Sequence, residues 1–344
     1  MSKKPFISIG IASYNYAQFI YRGFNAIRKQ QYTDLEVVYC DDASTDSSVE
    51  VIKKIITENP DMNIRLLQND ENMGLLKTKD RLIHETNGVY LMLCDADDWM
   101  AEGCLMKLAQ AAVTEKADRV VSEVCDINEQ GKLLQVQDLP HHPSKWLWNI
   151  HHGCLYRHDI LIEHDIHILY EPDDVYLITK FNQYCKKTVW IHERLYYWYV
   201  HQDSYGRKTG STASIVTVES DFQNVVDYIE ESCRFQRQNS EQPDKDILLL
   251  ELLLIKVYYL QLFHTAREYS ITDKWKCYEA LHKKLQSARA DYLCNPFLKI
   301  GKKSPMRGYA TRIIRLSALL EKMHMMKMGL LGYHILGKVI YFDQ

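Results

Sequence analysis

The 344-residue chain has no uninterrupted apolar run of about 18 residues, so no hydrophobic stretch of membrane-helix length is present. It also lacks any C-x-x-C pair. Its nine cysteines, an odd number, are scattered from Cys40 to Cys294, several inside apolar runs. That pattern suits reduced, buried thiols and argues against a disulfide framework or a zinc site built on cysteine. Neither sign of charge is in large excess: the formal net charge is −3, and nothing global points to nucleic acid. Residues Met1–Pro5 carry no apolar core of a signal peptide. With the thiols, this leads to the expectation of a cytoplasmic protein.

What the chain does have is Val89-Tyr90-Leu91-Met92-Leu93-Cys94-Asp95-Ala96-Asp97-Asp98-Trp99. The apolar part reads as a buried strand, and it runs into three carboxylates. Aspartates crowded at a strand end repel one another, which costs stability unless a cation or a donor-rich ligand sits among them. The plainer reading is an acidic turn that caps the helix starting near Ala101. Three earlier strand patterns, Phe6–Ala12, Leu35–Cys40 and Ile64–Leu67, alternate with helical ones at Phe19–Lys29, Val49–Ile56 and from Gly74 towards Asn87. Such alternation predicts a mostly parallel sheet with right-handed crossovers, whose ligands dock at the carboxyl ends of the strands. The second strand ends in Asp41-Asp42-Ala43-Ser44-Thr45-Asp46. Ser44, Thr45 and Asp46 have an ordinary use as helix caps, whereas Asp42 is placed to accept hydrogen bonds from a base or ribose. No G-x-G-x-x-G follows the first strand, and Gly301-Lys302-Lys303-Ser304 lacks the upstream glycine of a P-loop. Phosphates bound here would therefore be held by metal and side chains.

Four loops in this order, Ala12-Ser13-Tyr14-Asn15, Asp41–Asp46, Asn72-Met73-Gly74 and Asp95–Trp99, resemble the nucleotide-sugar half of family 2 glycosyltransferases with the GT-A fold. The resemblance implies that Ala12 and Tyr14 lie at the nucleotide and that Asp42 contacts the base, usually uracil. It implies that Asp95, Asp97 and Asp98 bind ribose and a divalent cation, manganese or magnesium, on the diphosphate, with Asp97 favoured over Asp98 as direct ligand. Two positions depart from the pattern: Ala12 replaces a proline, and Lys79-Asp80 replaces Arg-Asn. Lys79 keeps the positive charge for the nucleotide but not the bidentate geometry.

The pair Asp173-Asp174 opens an apolar helix, for which capping and dipole stabilisation is the ordinary explanation. By resemblance it stands where the family has Glu-Asp, and Asp174 is then the catalytic base for an acceptor hydroxyl opposite the departing diphosphate. His201 leads a polar loop that runs to Ser211. The resemblance places it as a metal ligand or phosphate donor, with Arg207 and Lys208 behind it; a solvated loop without chemistry is the alternative.

The stretch Ser144–Tyr156 is dense in aromatics and histidine. Trp146, Trp148, His151 and His152 suit the frame of a sugar, since aromatic faces stack on a pyranose and ring nitrogens bond hydroxyls; core packing competes for the tryptophans. A histidine-pair metal site is the less expected reading, because the acidic cluster already offers hard oxygen ligands. Further strand patterns lie at Arg119–Cys125, Thr188–Ile191 and Leu195–Tyr199. After residue 215 strand patterns stop, and helices are expected at Val218–Arg237, Asp244–Glu268, Asp273–Ala290 and Arg307–Phe342. Ile247–Lys256 is apolar on nearly every face, which predicts burial in a bundle or a dimer interface. Between Pro296 and Ile340 nine Lys or Arg face the single acidic residue Glu321. A basic amphipathic tail of this kind suits an anionic membrane surface, and a packed helix with a solvated basic face suits it equally.

These readings combine into an α/β GT-A domain over residues 1–215, with a nucleotide-binding half (1–100) and an acceptor half (101–215), followed by an all-helical accessory domain over 216–344. The expected activity is metal-dependent, inverting transfer of a sugar from a nucleotide-diphosphate donor, UDP by preference, to a glycan or lipid-linked glycan hydroxyl. By analogy its setting is bacterial surface-polysaccharide assembly on the inner face of the cell membrane, with homo-oligomerisation open. Two other readings stand: a sugar-phosphate nucleotidyltransferase, whose glycine-rich basic loop after the first strand is absent here, and a non-catalytic membrane-associated binding module.

Overall fold

The computed structural model describes residues 4–201, 213–266, 269–301, 303–306 and 308–336. It divides into two compact units, Met1–Leu139 with Asn149–Val200, and Pro140–Trp148 with His201–Gln344.

The first unit is built on a nine-stranded sheet: β1 (Ile7–Ser13), β2 (Leu35–Asp41), β3 (Asn63–Gln68), β4 (Tyr90–Asp95), β5 (Trp99–Met100), β6 (Arg119–Asn128), β7 (Leu133–Gln137), β8 (Cys154–Arg157) and β9 (Thr188–Val200). The strand order is β3-β2-β1-β4-β8-β6-β9-β5, with β7 beside β6. Strands β3, β2, β1 and β4 are parallel, β8 runs antiparallel to both β4 and β6, and β9 is parallel to β6. All seven residues of β1 and of β2 are buried, as a parallel sheet covered on both faces requires. The covering helices are α1 (Ala17–Lys29), α2 (Ser48–Glu58), α3 (Leu75–Glu85), α4 (Cys104–Glu115), α5 (His158–Glu163) and α6 (Asp173–Tyr184). On α1 the buried residues are Ile20, Phe24 and Ile27, one stripe at helical spacing facing the sheet. Each such side chain contributes about 1.5–3 kcal/mol of transfer free energy.

Register decides where the site forms. Ser13 pairs with Asp41, and Ala12 with both Cys40 and Asp95, so the loops that follow β1, β2 and β4 leave the sheet side by side. The short β5 then pairs with β9, Trp99 against Tyr197 and Met100 against Tyr196. The acidic loop is thereby stretched between β4 and β9.

Several elements differ from expectation. The runs Thr188–Ile191 and Leu195–Tyr199 form one strand, β9, because a register shift at Ser122–Val124 of β6 lets the polar stretch between them pass without breaking the pairing. β8 and β5 are too short to show periodicity. All nine cysteines are free, and eight are buried.

The second unit is helical in its described residues: α7 (Ile215–Asn239), α8 (Pro243–Leu260) continued by a π-helical turn, α9 (Ile271–Ala288), α10 (Gly308–Lys322) and α11 (Met326–Leu336). The last two replace the single helix expected from Arg307 to Phe342: the chain breaks at His324, whose φ is +56°. α8 buries Leu249, Leu250, Leu252, Leu253, Leu254 and Ile255, as its all-round apolarity requires. Among the described residues no helix is long and apolar enough to cross a membrane.

Candidate active site

The loops at the carboxyl ends of β1, β2 and β3 are tied together by side chains. Asn15 Oδ1 accepts from the amides of Thr45 (2.8 Å) and Asp46 (3.2 Å), and the Asn15 amide donates to Ser44 Oγ at 2.9 Å. Asp41 accepts from the amide and hydroxyl of Ser44, while Asp46 accepts from the amides of Ser48 and Ala17 and so braces the starts of α2 and α1. Asp42 turns to the third loop. Its Oδ1 accepts from Asn69 Nδ2 (2.7 Å) and the Met73 amide (2.8 Å), and its Oδ2 from the Gly74 amide (2.8 Å). Gly74 has φ +87°, a conformation that favours glycine, and it starts α3. Asp42 thus holds the Asn72-Met73-Gly74 turn and, of about four acceptor positions on a carboxylate, keeps one on Oδ2.

Lys79 of α3 is buried, yet it stays charged. Its Nζ lies 2.9 Å from Asp173 Oδ2, 3.3 Å from Asp95 Oδ1 and 2.9 Å from His151 Nε2. Burial opposes the charge, but Asp173, Asp95 and Asp174 outweigh it and hold the ammonium above its ordinary value. Asp95, in turn, accepts from His152 Nε2 at 3.1 Å and, against its own burial, is held well below the carboxylate range by Lys79 and His152. The Lys79 side chain therefore joins the two acidic motifs, one after β4 and one opening α6.

Asp98 lies beside His152, 3.7 Å from its Nε2, and also reaches β9. Its side chain is fully buried, its Oδ2 accepts from the Tyr196 hydroxyl and its Oδ1 from the Tyr199 amide, both at 2.9 Å. Burial and the neighbouring Asp97 charge push its carboxyl well up. Asp98 pins β9 to the acidic loop. On the loop's other side the Arg22 guanidinium bonds the Asp97 carbonyl and stacks on Trp99 (4.4 Å) and Tyr199 (3.9 Å).

His151 and His152 stack at 4.1 Å. Gly153, φ +65°, permits this, since a Cβ there would meet Ser122 Oγ at 2.7 Å and Tyr196 Cβ at 3.0 Å. His151 is held neutral by burial and by Lys79, whereas His152, despite burial, is raised to about 9 by Asp95 and Asp98. Asp174 Oδ1 lies 3.2 Å from both the amide and Nε2 of His151. Burial and Asp173 raise its carboxyl to about 7.

Residues 8–177 match the profile of Glycosyl transferase family 2. This first unit belongs to glycosyl transferase family 2. Over 100 residues, 29% of this chain and 10% of the relative, it is 33% identical to a Pasteurella multocida hyaluronan synthase. Over 123 residues it is 28% identical to glycosyltransferase GlyG of Streptococcus pneumoniae, 36% of this chain and 40% of that protein. The chain thus spans a tenth to two-fifths of the length of these curated relatives. Among solved structures, S. aureus TarS 1–349 in complex with UDP-GlcNAc aligns over 98% of this chain and 93% of its own at a TM-score of 0.70 and 15% identity. A Pyrobaculum calidifontis mannosyltransferase in complex with GDP-Man and Mn2+ aligns over 99% and 89% at 0.53 and 18%. These likenesses establish the GT-A fold followed by a helical region.

In this family 2 unit the expected residues fall as follows. Asp42, Lys79, Asp95, Asp97, Asp98, His152, Asp173 and Asp174 lie in the loops and helix starts at one end of the sheet. Ala12 is buried at the end of β1, and Tyr14, 40% exposed, follows it. Trp148 and His201 belong to the second unit, where both are buried, and Arg207 and Lys208 lie outside the described residues. Trp146 also belongs there; its indole donates to Asp246 of α8 at 2.8 Å, so it packs inside that unit instead of framing a sugar.

The donor set that converges is Asp95, Asp98 and His152, whose ligand atoms lie within 4.8 Å of one another, and a second set joins His151, His152 and Asp174. The histidine that meets the acidic loop is thus His152, whereas the expected metal set drew its histidine from His201. Asp95 Oδ1 is buried without a well-aligned hydrogen bond, even though Lys79 Nζ is 3.3 Å away. This carboxylate oxygen, with the Asp98 carboxylate and the His152 imidazole beside it, fits a divalent cation that accepts both oxygen and nitrogen, as manganese does. Sequence reading missed Arg22, Tyr196 and the role of His151. The signal for the first two, aromatics and arginine far apart in sequence, exists only once β5 pairs with β9.

Proposed function

We propose that the first unit transfers a sugar, with inversion, from a nucleotide-diphosphate donor of the UDP class to a hydroxyl of a glycan or lipid-linked glycan. The observation that carries this reading is Asp174: a carboxyl near neutrality, next to a lysine bridge that reaches the acidic loop. As the acceptor oxygen attacks the anomeric carbon, Asp174 takes its proton, and the bond to the diphosphate breaks on the opposite face. The His151 amide donates to Asp174 and holds it in place, and Lys79 pairs with the neighbouring Asp173. We assign the base to the free acceptor position of Asp42, with Ala12 and Tyr14 alongside, and the ribose to Asp95. Asp95, Asp98 and His152, with Asp97 beside them in the acidic loop, are the residues that would hold a divalent cation, which when bound neutralises charge on the leaving diphosphate. Residues 1–215 then act as donor and acceptor halves, and 216–344 as an accessory domain that brings the enzyme to the cytoplasmic face of a membrane. The UDP-GlcNAc of TarS and the GDP-Man and Mn2+ of the mannosyltransferase support the donor class and the cation.

The test is to incubate the purified chain with UDP-GlcNAc, UDP-glucose, UDP-galactose and GDP-mannose, with and without Mn2+, and to measure nucleoside diphosphate released. Mn2+-dependent UDP release that falls in Asp97→Asn is expected. Pyrophosphate formed from a sugar phosphate and a nucleoside triphosphate would instead make the chain a nucleotidyltransferase. Nucleotide binding without turnover would make it a binding module.

A further inference from the structure

Outside the acidic loop, the first unit gathers three more metal-ligating side chains. Asp80 and His84 stand one turn apart on α3, and His167 comes from the segment between α5 and α6. One ligand atom from each lies within 4.8 Å of the others, His84 exposed and the other two half-exposed. The rings of His84 and His167 stack at 4.4 Å.

The hydrogen bonds around this cluster decide which nitrogens are available. His84 Nδ1 lies 2.9 Å from the Asp80 carbonyl oxygen. A carbonyl only accepts, so Nδ1 carries the proton and Nε2 keeps its lone pair. His167 Nε2 lies 3.2 Å from Asp165 Oδ1 and donates to it, which leaves Nδ1, 3.0 Å from Asp80 Oδ2, to face the carboxylate. Asp80 itself is anchored by the Ile168 amide, which donates to Oδ1 at 2.8 Å. Each imidazole thus has its outward nitrogen fixed by a carbonyl or carboxylate, the arrangement that orients metal-binding histidines. Two ligands about 2.0–2.1 Å from a tetrahedral zinc stand about 3.3 Å apart, close to the Asp80–His167 separation.

We propose that Asp80, His84 and His167 form a zinc site, with Asp80 Oδ2, His84 Nε2 and His167 Nδ1 as ligands and water in the fourth position. Two imidazoles and one carboxylate favour zinc over magnesium, which takes oxygen. On binding, the proton of His167 Nδ1 passes to solvent and its lone pair goes to the metal. The ion ties residues 165–168 to α3. That segment leads into Asp173 and Asp174, and α3 carries Lys79, so occupancy stiffens the link between the base and its lysine.

The full-length chain, free of any histidine tag, is titrated with Zn2+ in competition with a chromophoric chelator, and with Co2+ read by visible absorption. Wild type is expected to bind one zinc that His84→Ala and His167→Ala weaken by about 100-fold or more. The cobalt band should be lost in the same variants and displaced by zinc in wild type. Asp95→Asn, which breaks the acidic-loop donor set, should keep this zinc. His84 is exposed, so His84→Ala and His84→Gln fold, which circular dichroism checks. Zinc affinity in His84→Ala equal to wild type overturns the proposal, as does loss of the zinc in Asp95→Asn with His84→Ala unaffected.

Discussion

Asp174 has its carboxyl raised to about 7 because burial and the charge of Asp173 oppose ionisation more than His152, Lys79 and the His151 amide favour it. A base so tuned is half ionised near neutrality. The pH profile of kcat/KM should therefore climb about tenfold per unit below pH 7 and level above it. The stability linkage runs opposite to that of a salt-bridged carboxylate. Between its ordinary value of 3.8 and about 7 the native state keeps a proton that the unfolded chain has released, so this group's contribution to stability falls as pH rises through that window. Asp174→Asn should lose activity by about 10²–10⁴ and yet melt higher than wild type at pH 8, with the gain gone at pH 4. A melting point below wild type at pH 8 would contradict that origin of the shift. Lys79 carries the other lesson at this scale. Expected at the nucleotide from the resemblance, it lies among Asp95, Asp173 and His151, three partners that only the folded sheet assembles.

Gly153 shows how one element positions the site. β8 is four residues long, and the turn before it delivers His151 and His152 against β6 and β9. Gly153→Ala imposes a left-handed conformation costing about 1–2 kcal/mol, plus the clash with Ser122 Oγ. At about 2–4 °C per kcal/mol, thermal unfolding should move down by several degrees. Because His152 Nε2 would shift from Asp95, Mn2+ affinity should fall as well; an unchanged melting point and metal affinity would show that the loop has room to relax. Elements of this kind were the illegible part of the fold. β1, β2 and β4 announce themselves as continuous apolar runs ending in polar loops, and their alternation with helices brought out the parallel α/β sheet and the motifs Asp41–Asp46 and Asp95–Asp98, whereas the GT-A fold and the role of Asp173-Asp174 rested on resemblance. β5 and β8 are shorter than any period, β9 is interrupted by His192-Glu193-Arg194, and the break between α10 and α11 falls at His324 with neither glycine nor proline to mark it.

At the scale of the whole molecule, the chain joins a family 2 catalytic unit to a helical one whose last helices are not fully covered. Leu316 and Leu319 of α10 and Met323 in the turn after it are exposed at spacings of three and four residues, and on α11 Met328, Leu331 and Ile335 repeat the pattern. Arg312, Lys322 and Lys327 are exposed on the same helices. Exposed apolar side chains rimmed by cations fit the surface of an anionic bilayer, to which each Lys or Arg adds about 1 kcal/mol of attraction at low salt. The chain should therefore cosediment with vesicles containing phosphatidylglycerol and much less with phosphatidylcholine alone. Raising salt to 0.5 M should release part of it, because the Debye length shrinks to a few ångström. Leu331→Glu combined with Ile335→Glu should release most of the rest while the release of UDP from a soluble donor stays at the wild-type rate. Cosedimentation that ignores lipid charge and survives both substitutions would mean that these helices face something other than a membrane.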